Sequence, residues 1–376
     1  MTDADAMADL PALRSRIRDF LAERLSGYTA VQKAHTWMGF DPEFSRDLGA
    51  QGWIGMTWPK RYGGHERSPI DRYTVLEELL VAGAPVGAHW IADRQSGPLL
   101  LSFGSEDQRQ RFLPGIARGE SFFCIGMSEP QAGSDLAAVN TRAVRDGSGW
   151  RVNGQKVWTT NAHQAHYMIA LVRTGDGSQR QEGLSQVIID LASPGVTVRP
   201  IRDLAGDNHF NEVFFDDVRV ESDCLVGAEG GGWAQVMSEL ALERSGPERY
   251  LSSTIALTTF LRAVGPNPEE PVRGLIGRLT AQYWALRQMS RSVGLRVQRG
   301  ENPILDASIV KSLGSDLEQD LPRLIQAMTD GEEDLSQGTE LGEVLNLLLK
   351  ISPSFSLRGG TREILKGIIA REIGLR

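Results

Sequence analysis

The sequence predicts an α+β protein in which a β-rich segment lies between two helical segments. Helical spacing of apolar residues runs from Leu10 to about Glu120. Short runs rich in Val, Ile, Phe and Trp, separated by Gly, Asp and Asn turns, extend from about Phe122 to Gly227, and helical spacing returns from Gly232 onward. A chain of 376 residues is also long enough for about two or three structural units.

Each segment divides into elements that the apolar pattern predicts. The first helical segment contains LRSRIRDFLAERL, FSRDLGAQG with a C-cap glycine, DRYTVLEELLVAG and SEDQRQRFLPGIARG. Strands of a small antiparallel unit are predicted over GWRVNGQKVWTT, YMIALVRT, LSQVIIDL and NEVFFDDVRV. Helices return with RGLIGRLTAQYWALRQMSRSVGLRVQRG, LEQDLPRLIQAM, GEVLNLLLKI and REILKGIIAREIGL, and GPNPEEP is a loop among them. We therefore expect domains at 1–121, 122–228 and 229–376.

The composition excludes several functional classes. An apolar content of 41 %, a charged content of 23 % and a net charge of −8 describe a globular protein with no bias toward nucleic acid. Cys124 and Cys224 match neither a disulfide framework nor a metal motif, so we expect a reducing cytoplasm. The N-terminal residues have no signal-peptide pattern, and no apolar run reaches the roughly 18 residues of a membrane span.

Glu243 is the most informative single residue. Leu240 and Val236 precede it by three and seven residues, so a helix places the carboxylate on an apolar stripe. Pro247 cannot donate to the Glu243 carbonyl, and we expect the helix to be distorted there. A partly desolvated carboxylate has a raised pKa, which suits a general base. The alternative is an amphipathic helix in which Glu243 pairs with a nearby arginine.

Several separated motifs resemble those of acyl-CoA dehydrogenases, in the family's order and spacing. The segments GMSEPQAGSDL at 126–136 and GQKVWTTNA at 154–162 resemble the paired flavin-contact motifs, and GWIGMTWPKRYGG, FNEVFFDDVRV and GGTREILKGIIARE extend the resemblance over nearly the whole chain. The resemblance implies an N-terminal α-helical domain, a middle antiparallel β-barrel-like domain and a C-terminal four-helix bundle. It also implies FAD bound between the β domain and the bundle.

The resemblance also implies roles for individual residues. A base removes the α proton of an acyl-CoA thioester while a hydride leaves Cβ for flavin N5. Met127 and Ser128 would contact the flavin ring, Trp158 would pack on the isoalloxazine, and Thr160 would hydrogen bond near N5. Ser134 would contact the pantetheine or phosphate part of CoA. The alternative for each is ordinary structure, either sheet core or a turn in a Gly-rich loop.

The position of the base departs from the commonest family pattern. Many members carry a glutamate in a YEGT-type motif, where LRGGTREI here has Arg358 or Gly359. Isovaleryl- and long-chain acyl-CoA dehydrogenases use a glutamate in an LER segment, which matches Leu242-Glu243-Arg244. Glu243 is therefore the predicted base, Arg244 its orienting partner, and Glu363 the competing candidate.

A second departure concerns the oligomer. The RxxFG and GGxG segments with which homotetrameric members reach a neighbour's FAD are missing, and HWIADRQSGP and ERSGPERY resemble catalytic subunits of bacterial α2β2 enzymes acting on steroid side chains. We therefore expect a paralogous partner subunit, with a homodimer or homotetramer as the alternative. An electron-transfer flavoprotein is the implied acceptor, and a bulky or branched acyl-CoA the expected substrate. An oxidase, a monooxygenase or a non-catalytic subunit are the competing functions.

Overall fold

The computed structural model describes residues 9–175, 180–242, 246–329 and 338–375. The N-terminal helices are α1 Leu10–Arg24, α2 Ala30–His35, α3 Pro42–Ala50, α4 Pro69–Val81, α5 Gly87–Ile91, α6 Gly97–Phe103 and α7 Glu106–Ala117. The strands are β1 Phe123–Gly126, β2 Arg142–Asp146, β3 Gly149–Thr160, β4 Tyr167–Arg173, β5 Leu184–Asp190, β6 Val196–Ile201, β7 Phe210–Val220 and β8 Leu225–Val226. The later helices are α8 Gly232–Leu242, α9 Thr254–Val264, α10 Glu270–Gln298, α11 Ile304–Thr329, α12 Glu340–Ile351 and α13 Arg362–Glu372. The predicted order of helices, sheet and helices is confirmed.

Local sequence signals account for several helix ends. At the start of α4, Ser68 Oγ accepts a hydrogen bond from the Asp71 amide at 3.1 Å, and the Asp71 carboxylate accepts one from the Ser68 amide at 3.2 Å. Ser105 and Gln108 form the same reciprocal cap on α7. After α3, Gly52 adopts a φ of 74°, which confirms the predicted C-cap glycine. These caps satisfy backbone groups that the helix itself leaves unpaired.

The chain forms two compact units. The helical unit comprises Met1–Phe40, Arg67–Val86 and Glu243–Arg376. The sheet unit comprises Asp41–Glu66 and Gly87–Leu242. The domain boundaries expected from the sequence remain predictions.

The sheet has the strand order β6-β7-β3-β2-β4-β5-β8, with β1 added on β4. Most pairs are antiparallel, as predicted, but β1 lies parallel to β4 in the register Phe123↔Tyr167. A parallel pair needs a long crossover, and here the chain forms the β2–β3 hairpin between β1 and β4. A second parallel contact joins β2 to β4 at Arg142↔Arg173. The antiparallel prediction holds for the other pairs, and these two parallel pairs were not predicted because strand runs alone do not reveal which strands become neighbours.

Apolar side chains cover both faces of this sheet. One face buries Trp150, Val152, Met168 and Val213 in a single cluster. On the other face, Val236 of α8 belongs to a cluster with Ala132, Val139, Leu171 and Leu184, against which Met127 and Trp233 pack. Helix α8 therefore covers the face that carries the loop after β1.

The helical unit contains an ionic cluster on α4. The buried carboxylates of Glu77 and Glu78 pair with Arg14 of α1, and Glu77 also pairs with Arg287 of α10 at 2.5 Å. Burial works to raise the pKa of Glu77, but hydrogen bonds from Arg287 and Arg14 outweigh it and leave that pKa below its usual value. Among the described residues, no helix combines the length and apolarity needed to cross a membrane.

Candidate active site

Met127 and Ser128 lie directly beside the second predicted motif. They follow β1, and the chain then folds back through reciprocal backbone hydrogen bonds between Glu129 and Ala132 at 2.8 and 3.0 Å. The Ser128 carbonyl accepts a hydrogen bond from the Val157 amide of β3 at 2.9 Å. The two segments that the sequence analysis paired are therefore in contact within the sheet unit.

A buried ion pair joins the same two segments. Lys156 Nζ donates to Glu129 Oε1 at 2.7 Å and to the Met127 carbonyl at 3.2 Å. Glu129 also accepts hydrogen bonds from the amides of Asn140 and Thr141 at 2.7 and 2.9 Å. The Glu129 carboxylate thus links the loop after β1 both to Lys156 of β3 and to the backbone of Asn140 and Thr141.

The ion pair shifts the pKa values of both partners. Burial lowers the pKa of Lys156 to about 8, although the negative charge of Glu129 opposes this shift. Burial works to raise the pKa of Glu129, but the charge and hydrogen bond of Lys156 outweigh it and leave that pKa below its usual value. Both groups are therefore charged at neutral pH.

Strand β3 carries a β-bulge at Trp158. Lys156 pairs with Val213 and Thr159 with Asn211, so three steps on β3 face two on β7. Trp158 has a φ of 59°, which is rare for a bulky residue, and its side chain is 59 % exposed. The extra residue interrupts the regular alternation of faces and directs the indole ring away from the sheet core.

The residues after the bulge present polar groups near this ring. Thr160 is half-buried on the same face of the strand as Trp158. Thr159 Oγ1 and Asn161 Nδ2 are buried without a hydrogen-bond partner among the described residues. Such groups cost free energy unless a ligand satisfies them. The exposed ring of Trp158, with the Thr160 hydroxyl two residues later, fits the flat face and polar edge of a flavin.

Ser134 lies on the loop that follows Ser128 and is exposed in a bend before Leu136. Its neighbour Asp135 pairs with Arg180 at the surface. An exposed hydroxyl in this position is accessible to a ligand, but its contact with CoA stays a prediction.

Glu243 and Arg244 lie outside the described residues, so their roles as base and partner stay predictions. On the N-terminal side, α8 ends at Leu242, and on the other side Pro247–Arg249 form a 3-10 turn. Pro247 thus lies in a 3-10 turn, and the helix distortion expected at Glu243 falls outside the described residues and stays a prediction. Glu248 in this turn is buried beside Gly246, and a methyl group on Gly246 would overlap its carboxylate.

The competing carboxylate Glu363 is exposed in the first turn of α13. Hydrogen bonds from its own backbone amide and from Thr361 hold the pKa of Glu363 below its usual value. A carboxylate of lowered pKa in water is a weaker proton acceptor than a desolvated one. These surroundings make Glu363 a poor candidate for the base, and the assignment of Glu243 stays a prediction.

Arg358 occupies the segment where other family members carry their glutamate. Its guanidinium carbon lies 3.9 Å from the ring centroid of Trp37 and 4.2 Å from that of Phe355. One guanidinium nitrogen lies 3.4 Å from the carboxylate of Glu318, which also accepts the Ser252 amide at 2.8 Å. Arg358 therefore stacks on two aromatic rings and pairs with the buried carboxylate of Glu318.

Sequence reasoning missed Glu129, Lys156 and Asn211 as site residues. Asn211 is fully buried and donates from its side chain to the Thr159 carbonyl at 3.0 Å. The signal available was a lysine at a position of β3 that strand alternation assigns to the buried face, four residues after Val152. A lysine buried in a sheet needs a carboxylate partner, and Glu129 in the loop after β1 is such a partner.

Comparison with known proteins agrees with these motifs. The acyl-CoA dehydrogenase N-terminal domain model matches residues 8–120, and the middle domain model matches residues 124–218. Acyl-CoA dehydrogenase IpdE1 of Mycobacterium tuberculosis is 35 % identical, with 98 % of each chain covered. Acyl-CoA dehydrogenase FadE29 of the same organism is 33 % identical, with 86 % of each chain covered.

Solved structures have the same fold. The steroid ACAD Tcur3481-Tcur3483 aligns with a TM-score of 0.86 at 28 % identity, covering 98 % of this chain and 97 % of that chain. The ChsE4-ChsE5 complex from Mycobacterium tuberculosis aligns with a TM-score of 0.84 at 29 % identity, covering 98 % of each chain. On its sequence, its motifs and its fold, the chain belongs to the acyl-CoA dehydrogenase family.

Proposed function

We propose that this chain is the catalytic subunit of a heteromeric acyl-CoA dehydrogenase that introduces a Cα–Cβ double bond into a bulky or branched acyl-CoA, such as one carrying a steroid side chain. The observation that carries this proposal is the contact between the two flavin motifs. Lys156 bridges the Met127 carbonyl and Glu129, and the Val157 amide binds the Ser128 carbonyl. This assembly places the Trp158 bulge next to the loop after β1.

FAD, the cofactor of this family, supplies the hydride acceptor when it is bound. Met127, Ser128, Trp158 and Thr160 are the residues that would hold it. Trp158 offers an exposed ring and Thr160 a hydroxyl on the same face, while the buried ion pair keeps the loop of Met127 and Ser128 in place. These residues bind and orient; they take no proton from the substrate.

Glu243 is the proposed proton acceptor for the substrate α carbon, with Arg244 as its orienting partner. The apolar register of α8 supports this, since Val236 is buried and the helix continues to Leu242. A carboxylate on this register would be desolvated, and its pKa would then be raised toward that of an effective base. Ser134 would contact the CoA part of the substrate, and an electron-transfer flavoprotein would reoxidise the enzyme.

Two similar solved structures support the proposed partner subunit and substrate class. One is named as a complex of two proteins and the other as a steroid ACAD. The missing RxxFG and GGxG segments agree with a paralogous chain that completes the FAD site. The chain would then contribute the base and the ring contacts, in a cytoplasmic α2β2 assembly.

The first test is the flavin content of the purified protein. We expect the chain alone to be colourless and the complex coexpressed with a neighbouring paralogue to be yellow, with one FAD per pair of chains. A lone chain that carries one FAD per protomer would refute the heteromer. A complex that holds no flavin would refute the dehydrogenase itself.

The second test identifies the base. Glu243→Gln should reduce the rate of anaerobic flavin bleaching by acyl-CoA roughly 100- to 10,000-fold, while FAD content is retained. Glu363→Gln is the matched control. Because the Glu363 carboxylate is exposed, this variant should bleach at the parent rate. If Glu243→Gln bleaches at the parent rate, another group is the base or the subunit is not catalytic.

A further inference from the structure

The bulge at Trp158 is a strained feature that needs support from its surroundings. A φ of 59° at a tryptophan and of 53° at Asn161 place two nearby residues in the left-handed region. Such conformations persist only where neighbouring contacts hold them. The bulge also interrupts the β3–β7 ladder, so backbone groups here need partners other than the regular strand pairs.

Asn211 supplies one of these partners from the opposite strand. It faces Thr159 across the ladder and is 0 % exposed. Its Nδ2 donates to the Thr159 carbonyl at 3.0 Å, inside the interrupted region. A second link is the Asn161 amide, which donates to the His209 carbonyl at 2.9 Å. The residues that follow Trp158 are therefore bonded to Asn211 of β7 and to His209 just before it.

The orientation of the Asn211 amide is determined by a chain of hydrogen bonds. Because Nδ2 faces a carbonyl oxygen, Oδ1 faces His163 Nδ1 at 3.0 Å and accepts a hydrogen bond from it. His163 Nε2 then accepts from the side-chain amide of Gln164 at 3.1 Å. Donation thus runs in one direction, from Gln164 through His163 and Asn211 to Thr159.

We propose that Asn211 is a positioning residue that holds the β3 bulge and thereby orients Trp158 and Thr160 toward the flavin. This role rests on the proposed function, in which the bulge presents Trp158 and Thr160 to the flavin. Phe210, the residue before Asn211, makes an edge contact with Trp158 at 6.1 Å between ring centroids. The same part of β7 therefore supports both the backbone and the ring of the bulge.

The test variant is Asn211→Asp, which keeps the shape but replaces the donor with an oxygen. Repulsion between this oxygen and the Thr159 carbonyl should loosen the bulge. The matched control is Val218→Ala on the same strand, which removes buried methyl groups opposite Val152 and away from the bulge. His163→Ala, at an exposed position, removes only the group that orients Asn211 and is the variant to use if Asn211→Asp does not fold.

The first readout is amide hydrogen exchange of the purified chain, which needs no flavin. In Asn211→Asp, the amides of Val157 and Asn161 should exchange about tenfold faster, in line with the loss of one hydrogen bond, and His163→Ala should have a smaller effect. Val218→Ala should leave their exchange at the parent rate relative to the rest of β7. Unchanged exchange in Asn211→Asp would refute the proposal whether or not the protein binds FAD.

The second readout is made on the coexpressed complex. Asn211→Asp should weaken FAD binding roughly two- to tenfold and shift the flavin midpoint potential, since the ring contacts are displaced. Val218→Ala should change neither FAD binding nor the midpoint potential. Faster exchange with unaltered FAD affinity and potential would show that Asn211 is structural only. A parent complex without FAD would refute the proposed function, and the exchange result would then stand by itself.

Discussion

Lys156 Nζ and Glu129 Oε1 are 2.7 Å apart, and the two side chains have exposures of 0 % and 3 %. This contact joins the strand that carries Trp158 to the loop that follows β1. Two fully desolvated charges are costly to bury, and they persist here because each is also hydrogen bonded to backbone. The pair is thus a structural link between the two flavin motifs.

Removal of one partner should destabilise the sheet unit strongly. Lys156→Met leaves the Glu129 carboxylate buried without its cation, and we expect a loss of about 3–5 kcal/mol in the free energy of unfolding. The double variant Lys156→Met/Glu129→Gln should recover part of this loss, because Gln still accepts backbone hydrogen bonds. Urea unfolding measures both values, and a single variant as stable as the parent would contradict the role of the pair.

The lowered pKa of Lys156 predicts a pH dependence of stability. The folded protein releases this proton near pH 8, whereas the unfolded chain holds it up to about 10.5, so the unfolded state binds more protons between these values. Stability of the parent should therefore rise with pH relative to Lys156→Met, by roughly 1 kcal/mol per pH unit between pH 8 and 10. Parallel curves for the two proteins in urea titrations would show that Lys156 keeps its ordinary pKa.

The backbone conformation of Trp158 should lower the stability of the protein, while its ring should strengthen FAD binding. Both Trp158→Gly and Trp158→Ala remove the ring. Only the alanine variant keeps the steric penalty that a side chain incurs at a left-handed φ. We expect the glycine variant to be about 1–2 kcal/mol more stable than the alanine variant, measured without flavin. Both should bind FAD more weakly than the parent in the coexpressed complex. Equal stability of the two variants would mean that the backbone is not strained at this position.

Gly246 should be intolerant of a side chain because of Glu248. Its φ of −72° suits any residue, so Gly246→Ala tests only the overlap with the buried carboxylate. We expect a loss of about 1–3 kcal/mol. Gly274→Ala in α10 is the control, since open space surrounds that glycine, and it should be stabilised by roughly 0.5–1 kcal/mol. Thermal unfolding distinguishes the two, and a neutral Gly246→Ala would mean that Glu248 moves freely.

Arg358 should contribute to stability through stacking as well as charge. Arg358→Ala removes the contacts with Trp37 and Phe355 and takes a cation from the buried acid Glu318, for an expected loss of about 2–3 kcal/mol. Arg358→Lys keeps the charge without the planar stack and should lie between alanine and parent. Denaturant unfolding gives the order, and a lysine variant as weak as alanine would assign the whole effect to stacking.

Local sequence patterns predicted the elements well. The run GWRVNGQKVWTT coincides with β3, and the C-cap glycine after α3 adopts its expected φ. These features depend on residues close together in the chain, where propensity and capping act directly. The parallel pairing of β1 with β4 was not predictable in this way, because it depends on a crossover of 40 residues between Gly126 and Tyr167.

The sequence by itself determined the family, the order of helices and sheet, and the two flavin motifs, since these are properties of residue identity and spacing. Only the tertiary structure decided that Glu129 pairs with Lys156, that an extra residue in β3 turns Trp158 outward, and that Asn211 reaches the Thr159 carbonyl. Each depends on strand neighbours and register. A shift of one residue reverses the face of every side chain, so spacing within a single strand leaves such contacts undetermined.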